Sequence, residues 1–462
     1  MAKKNNENQM VFKVENQNLT VVAEKNKKKK HKKSKEDARF FGSKMFDWLK
    51  LDNAATIYPS SKNEHWTFVY RISAIMKKEV DPVILQKSVD EIMPRFPSFF
   101  VCLKKGFFWH YFEQNNRRLE VSEEKNFPCS YMNINDPNKH LIRVIYSKYR
   151  ISLEVFHAVS DGHGSLILFN CLIARYLENI GKKIAQNSLV LNYNDVPTAE
   201  ELEDSFLANA TNQKGKGHRE ASAYNIAGTV EDEGIVNTTI ATMSVNQVKE
   251  VAKKYNAKLT SFLASVFGYE ILRRRKNSKK PVKISIPIDM RKEFKSSTLR
   301  NFSSYINIPL SDEKDSLAEV IDKIKCGLEG VNREFLQKNI NSNVNLQKNL
   351  FIKLIPLPIK NLALSTSFNL LGENLQTFAF SNLGKVQVPD EFYDEIERYE
   401  VNLGRSKHNA ISVGLIAFGD VLTITISSKL CENTTERDVL RKLSEFGIDI
   451  KVESNRRDRY GK

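Results

Sequence analysis

One histidine stands where it could do acid–base work. His157 ends a stretch in which Ile151, Leu153 and Val155 alternate with Ser152 and Glu154. It is followed by Ala158-Val159-Ser160-Asp161-Gly162, and then by an amphipathic helical pattern over 165–177. An imidazole titrates near neutral pH, so at a strand end facing a cleft it can serve as a general base. Asp161 is too close in sequence to be a second acid at the same atom. Its work would be to fix the turn, by hydrogen bonds or an ion pair, and so orient the ring. Gly162 would permit a tight backbone bend. By composition a His-x-x-x-Asp-Gly string arises in about one chain in a hundred of this size. A satisfied core histidine beside an ordinary Asp-Gly turn therefore stays open, although the place between strand and helix favours chemistry. His163, just beyond, is either a backup base or simply a residue at a helix N-terminus.

The elements that must position this histidine follow from periodicity. Residues 66–75 read as a strand. Asp81-Pro82 opens a helix with an acidic N-cap and proline in the first turn, and Leu85, Val89 and Ile92 fall on one face. Pro94 ends it. Residues 99–103 and 107–112 predict a hairpin around Lys105-Gly106, and 141–146 with 151–156 predict a second strand pair. The chain turns polar from about 192 to 234. A second lobe then begins with a strand at 235–243, a helix at 245–255 and a more buried helix at 259–272. Strands follow at 282–288 and 305–310, helices around 315–335 and 345–356, and strands at 377–380, 410–418 and 421–427. A helix near 433–446 and a strand at 448–452 finish it. Both lobes start with a strand and then a helix, a weak sign of one α/β architecture used twice.

Composition bounds the class. The 462 residues are 41% hydrophobic and 27% charged, which is globular composition with enough chain for two cores. No apolar run approaches the length of a membrane-spanning helix, and the polar first twenty residues do not read as a secretory signal. The five cysteines, Cys102, Cys129, Cys171, Cys326 and Cys431, are scattered and odd in number. That spacing argues against a disulfide framework or a zinc ribbon and suits a reducing cytoplasm. Residues 1–38 carry +6 and 455–462 carry +3 of the net +16, so the basic character is concentrated in the tails. The run Lys27-Lys28-Lys29-Lys30-His31-Lys32-Lys33 predicts disorder. It is a solubilising tail or a contact for an anionic membrane surface or RNA, which needs only charge. No aromatic–basic interleaving supports a nucleic-acid partner. Phosphate-loop, dinucleotide, metalloprotease and nucleophile-elbow motifs are absent from the sequence. The boundaries are thus a disordered basic tail (1–38), an N-terminal lobe (39–195), a linker (196–234), a C-terminal lobe (235–456) and a basic tail (457–462).

His157-x-x-x-Asp161-Gly162 resembles the active-site motif of the chloramphenicol-acetyltransferase-like superfamily. That group includes condensation domains and alcohol acetyltransferases, and the bacterial alcohol-acetyltransferase-like branch is the most similar. Further stretches carry the resemblance: Trp48-Leu-Lys-Leu-Asp52-Asn-Ala-Ala-Thr-Ile-Tyr58-Pro59, Arg95-Phe-Pro97, Gly106-Phe-Phe-Trp109-His-Tyr-Phe112, Ile286-Pro-Ile-Asp289-Met-Arg291, Leu299-Arg-Asn301-Phe302 and Ser381-Asn382-Leu383-Gly384. It covers roughly residues 44–456. Many condensation domains carry two adjacent histidines, whereas this chain has Phe156-His157.

The resemblance implies an α/β fold of two α+β sandwich lobes with an active-site tunnel between them. It implies an acyl-CoA-dependent O-acyltransferase, with acetyl-CoA as the simplest co-substrate, no permanently bound cofactor and no metal. His157 would deprotonate the hydroxyl of a small-molecule alcohol, and Asp161 would point away from the cleft towards an arginine. Arg291 is the first candidate and Arg95 the second. Asn301, Ser381 and Asn382 are candidates for substrate or oxyanion contacts by motif position, with a turn role as the alternative for Asn382. Arg273-Arg274-Arg275-Lys276 with Lys279 and Lys280 either meets coenzyme A phosphates or is a solvated helix end. The alternatives are a non-catalytic cleft-binding protein and an acyltransferase for a membrane-associated alcohol, held at the membrane by the tail.

Overall fold

The protein is described here by a computed structural model covering residues 10–15, 18–23, 45–61, 67–185, 187–213, 220–275, 278–348, 354–367, 373–406 and 409–456. The first strands are β1 (Met10–Glu15), β2 (Asn18–Ala23), β3 (Leu49–Lys50) and β4 (Val69–Met76), followed by helix α1 (Pro82–Ile92). Next come β5 (Val101–Lys105), β6 (His110–Gln114), β7 (Ser122–Glu123), β8 (Ile142–Ser147), β9 (Arg150–Phe156) and α2 (Gly162–Asn179). The second half opens with β10 (Asn237–Ser244), α3 (Val245–Lys254), α4 (Leu259–Arg274), β11 (Val282–Asp289) and β12 (Ser303–Leu310). It continues with α5 (Leu317–Glu329), α6 (Arg333–Lys348), α7 (Leu357–Ser367), β13 (Phe378–Lys385) and β14 (Ile396–Leu403). It ends with β15 (Ile411–Phe418), β16 (Val421–Ser428), α8 (Thr434–Glu445) and β17 (Lys451–Ser454).

The strands form two principal sheets, one per lobe. The N-terminal lobe has the order β14-β4-β9-β8-β7, with β3-β6-β5 as a small companion sheet. The C-terminal lobe has the order β12-β11-β13-β15-β16-β10-β17. Against the first sheet lie α1 and α2. Asp81 caps α1 by accepting from Val83 N and Ile84 N, and Leu85, Val89 and Ile92 face inward as their spacing predicts. Asn179 Nδ2 on α2 donates to Ser88 Oγ on α1 at 3.0 Å. In the second lobe Phe262, Phe267, Phe378 and Phe380 anchor a separate core.

Four features differ from the sequence expectation. The strand β14 was not expected, and it leaves the C-terminal half to pair antiparallel with β4, from Ile396↔Met76 to Leu403↔Tyr70. It carries charged residues, and two of them, Arg398 and Glu400, are buried and pair with each other at 2.9 Å. The polar 196–234 segment carries short helices at Ala199–Leu202 and Ser205–Ala208, capped by Thr198 and Asp204, while residues 214–219 lie outside the described set. Helices α5 and α6 are split at Gly330, so α6 begins earlier than the pattern placed it. Finally, β1 and β2 pair as a hairpin within the segment expected to be wholly disordered. Val11, Val14, Leu19, Val21 and Val22 give it strand-forming composition. The Lys-rich run at 27–35 lies outside the described residues.

Candidate active site

His157 leaves the end of β9 at the seam between the lobes. Its backbone N–H donates to Phe68 O at 2.8 Å, and Phe68 reaches this position with φ of 49°, an uncommon conformation for a bulky residue. Two tyrosines hold the ring. Tyr58 stacks on it (centroids 4.8 Å apart, 21° between planes), and Tyr70 meets it edge-on at 5.1 Å. Burial, with Asp52 and Asp161 nearby, pushes the Tyr58 phenol well above its ordinary value, so it stays neutral.

The second lobe fixes the ring's tautomer. His157 Nδ1 lies 3.1 Å from Asn301 Oδ1. Asn301 cannot be turned the other way, because its Nδ2 faces Ala158 O at 3.4 Å, a backbone carbonyl that only accepts, as well as Asp52 Oδ2 at 3.1 Å. The carbonyl oxygen must therefore face His157 and accept from Nδ1–H, which leaves Nε2 as the nitrogen with the lone pair. Asp52 is fully buried and also accepts from Ala55 N at 2.7 Å and Asn301 N at 3.3 Å. Burial pushes its carboxyl up, against the pull of Arg300, whose Nε is 3.7 Å away, and of these amides. Asp204, which shares the surroundings of Arg300, is pushed to about 6 by burial and by Asp52.

Asp161 points away from His157, into the seam. Its Oδ1 accepts from Gly164 N at 3.0 Å, capping α2, and from Arg291 Nη2 at 2.9 Å; its Oδ2 accepts from Phe302 N at 2.8 Å. Burial opposes ionisation, but Arg291 and the two backbone amides outweigh it and hold the carboxyl below its ordinary range. Arg291 is itself held by Thr298 O, Arg300 O and Asp289. The first-choice arginine is thus the partner of Asp161. Arg95, the second choice, instead forms a two-pronged pair with Glu201 at 2.6 and 2.7 Å.

The glycine of the motif works by space rather than by bending. Gly162 has no positive φ; a Cβ there would lie 2.6 Å from Leu383 Cδ2 of the other lobe. Gly164 is tighter still, since its Cβ would meet Leu299 O at 2.2 Å and Ser160 Oγ at 2.4 Å. Ser160 Oγ also donates to Leu299 O at 2.6 Å. Residues 160–164 thus form a close lobe-to-lobe contact.

The remaining candidates separate. Both amide hydrogens of Asn301 are directed to acceptors, Asp52 and Ala158 O, so its expected place as an oxyanion donor is corrected to that of a histidine-orienting residue. Asn382 donates to Thr260 Oγ1 at 2.9 Å and accepts from Gly384 N at 2.8 Å, the turn role. Ser381 shares a strand face with Leu383, the residue that meets Gly162, opposite to core-facing Phe378 and Phe380. His163 stands in the first turn of α2 with Nδ1 3.6 Å from Asp289 Oδ2; burial and then Arg291 lower its pKa. In the basic run, Arg274 pairs with Asp438 and Arg275 with Glu313, while Arg273 lies over the Tyr269 ring. Asp52, Tyr58 and Tyr70 were not singled out as site residues from sequence. Asp52 and Tyr58 stood only inside a motif stretch, with no spacing to tie them to a histidine about a hundred residues on.

No family model matches the chain, and no curated protein matches it. Solved structures do. TRI101 from Fusarium sporotrichioides, in complex with coenzyme A and T-2, superposes with a TM-score of 0.59 at 10% identity, covering 88% of this chain and 99% of that one. The trichothecene 15-O-acetyltransferase TRI3 of the same organism gives 0.56 at 11%, covering 87% and 96%. The first condensation domain of the CDA synthetase gives 0.51 at 11%, covering 87% and 94%. The chain has the two-lobed chloramphenicol-acetyltransferase and condensation-domain fold. At these identities the likeness is one of architecture. Within that fold, β14 and the 160–164 contact both join the lobes.

Proposed function

We propose that the protein is an O-acyltransferase that moves an acyl group from a thioester to a hydroxyl acceptor, with His157 as general base. The observation that carries this reading is the Nδ1–H bond to Asn301, which leaves Nε2 free to accept a proton. The fold adds support, because it is shared with an enzyme named as an O-acetyltransferase and with one bound to coenzyme A.

In the proposed step, Nε2 takes the hydroxyl proton as the acceptor oxygen attacks the thioester carbonyl carbon. The C–O bond forms and the carbonyl electron pair moves to oxygen. Collapse of this tetrahedral species breaks the C–S bond, and the proton passes from Nε2 to the departing thiolate. The imidazolium that forms in between is stabilised through Asn301 by the Asp52 carboxylate. Ser381 is the candidate left to donate to the oxyanion. Asp161 and Arg291 hold the lobes and the turn and touch no reacting atom.

The test is thiol release from acetyl-CoA and longer acyl-CoA donors across a panel of alcohols, comparing wild type with His157→Ala. Acceptor-dependent release that the substitution lowers by about 10²–10⁴-fold is expected. Equal release from both proteins would remove His157 from the mechanism.

A further inference from the structure

A cavity of about 460 Å³ lies between the lobes, away from His157. Its wall takes Arg71 from β4, Arg150 from β9, Asn402 from β14, Phe127 from the segment after β7, and Thr238 and Ile240 from β10. Arg71 and Tyr70 are neighbours on β4, so their side chains leave opposite faces of the sheet. Tyr70 meets His157 edge-on, whereas Arg71 faces the cavity. The cavity is therefore separate from the catalytic centre.

The charges on the wall cancel. Arg71, Lys125 and Arg150 stand against Glu124, Glu400 and Glu453. The arginines and carboxylates already engage one another. Arg71 binds Glu124 and Glu154, and Arg150 reaches Glu124 at 3.4 Å and Glu400 at 3.3 Å. Arg398 takes Glu400 at 2.9 Å and Glu453 at 2.7 Å. What lacks a partner is uncharged. Thr238 is 3% exposed, and its Oγ1 has no hydrogen-bond partner among the described residues. Asn402 is 4% exposed, and its side-chain amide bonds to none of the described residues. The strip continues onto β16, where Ser427 and Thr425, the cross-strand neighbours of Thr238 and Ile240, carry two more buried hydroxyls without partners. Unpaired buried hydroxyls and amides are costly, and native structures keep few of them without a reason.

We propose that this cavity binds a neutral polyhydroxyl molecule, a saccharide or polyol. A cation would find every carboxylate of the wall already paired. An anion would have only the exposed Lys125 and would meet three carboxylates. Ligand hydroxyls both donate and accept, so they match Thr238 Oγ1, both ends of the Asn402 amide and the remaining lone pairs of the paired carboxylates. Phe127 and Ile240 supply apolar surface for the C–H face of a sugar ring. The ligand would touch both lobes, so its binding stabilises their contact. None of this depends on the transfer chemistry.

The experiment is saturation-transfer NMR of the full chain with glucose, N-acetylglucosamine, trehalose and myo-inositol, and with glutamate and inorganic phosphate as charged controls. Saturable binding of at least one neutral probe is expected. Thr238→Val should weaken it about tenfold, the equivalent of one hydrogen bond to the ligand. This variant should melt no lower than wild type, because it removes a hydroxyl that has no partner. Phe127→Ala, on the loop side of the cavity, should weaken binding as well and keeps the test decisive if the valine variant misfolds. His157→Ala should bind as wild type does. Binding that survives unchanged in both cavity variants overturns the proposal, since the probe then sits elsewhere, the catalytic cleft included. Binding of glutamate or phosphate alone overturns the choice of a neutral ligand, and no binding by any probe overturns the site. A melting shift that wild type and both variants share is general polyol stabilisation and counts against it too.

Discussion

Asn301 turns its carbonyl oxygen to His157 because Asp52 accepts from its nitrogen, and this orientation decides which imidazole nitrogen can act. The arrangement follows the logic of a Ser-His-Asp triad, with an amide between carboxylate and imidazole. Asn301→Leu keeps the volume and removes the acceptor. Its turnover should fall on the order of a hundredfold with little change in KM, because the ring loses its orientation and not its substrate contacts. An unchanged turnover number would show that the tyrosines alone hold the ring. Asp161 makes a different case. Its carboxylate accepts from Gly164 N, Phe302 N and Arg291 within the seam. Asp161→Asn should therefore cost stability first, about 3–5 kcal/mol for a broken buried pair, read by denaturant melts.

At the scale of elements, the start of α2 and the strand β14 connect the lobes. The helix start explains the glycines. At Gly162 an added methyl meets only the end of a leucine side chain, which can rotate; at Gly164 it meets a backbone carbonyl, which cannot. Gly162→Ala should thus cost about 1 kcal/mol and Gly164→Ala about 3 kcal/mol or more, a ranking opposite to the one the motif suggests. Comparable denaturation midpoints for the two variants would sink that account. In β14, Arg398 binds Glu400 and Glu453, and Arg150 reaches Glu400 at 3.3 Å. Glu400→Gln takes away the buried carboxylate of Arg398 and leaves it the more exposed Glu397 at 2.9 Å and Glu453 at 2.7 Å. A loss of about 2 kcal/mol is expected, with the unfolding midpoint as the measure.

Over the whole molecule, stability should depend on pH through two buried histidines. Burial lowers His110 and His140 to about 4. The unfolded chain takes up these protons near 6.5, while the folded one holds both rings neutral, so each lowers stability as pH falls from about 6.5 towards 4. The full effect is about 3 kcal/mol apiece. Asp204, raised to about 6, has the opposite sign, since it keeps a proton that the unfolded carboxyl releases near 3.8. His163, lowered by burial, adds to the loss from the histidines, and Asp52, raised by burial, adds to the opposing effect of Asp204. His140→Gln retains a donor for Arg117 O, which His140 Nε2 contacts at 2.9 Å, and should flatten the melting temperature between pH 7 and 4.5. An unaltered pH slope in this variant would rule His140 out. Among the described residues no helix is long and apolar enough to cross a membrane.

The sequence by itself determined what local pattern can specify. The alternation of 151–156, the capped helix after Asp81 and the strand–His–Asp-Gly–helix order all lie within short windows where period and turn chemistry act. They were enough to place His157 and to pair Asp161 with Arg291 through resemblance. Only the tertiary structure decided the rest, because it depends on groups far apart in the chain. Asn301 reads as an oxyanion donor until Asp52, 249 residues away, is seen to take its nitrogen. The strand 396–403 was not read from sequence, and its buried charges are matched by Arg150 and Glu453 from distant segments. Gly162 reads as the glycine of a tight bend until Leu383 of the other lobe fills the space where its side chain would be. In each case the deciding term is a long-range contact in a buried seam, where an unpaired charge or an extra methyl is costly and periodicity carries no record of it.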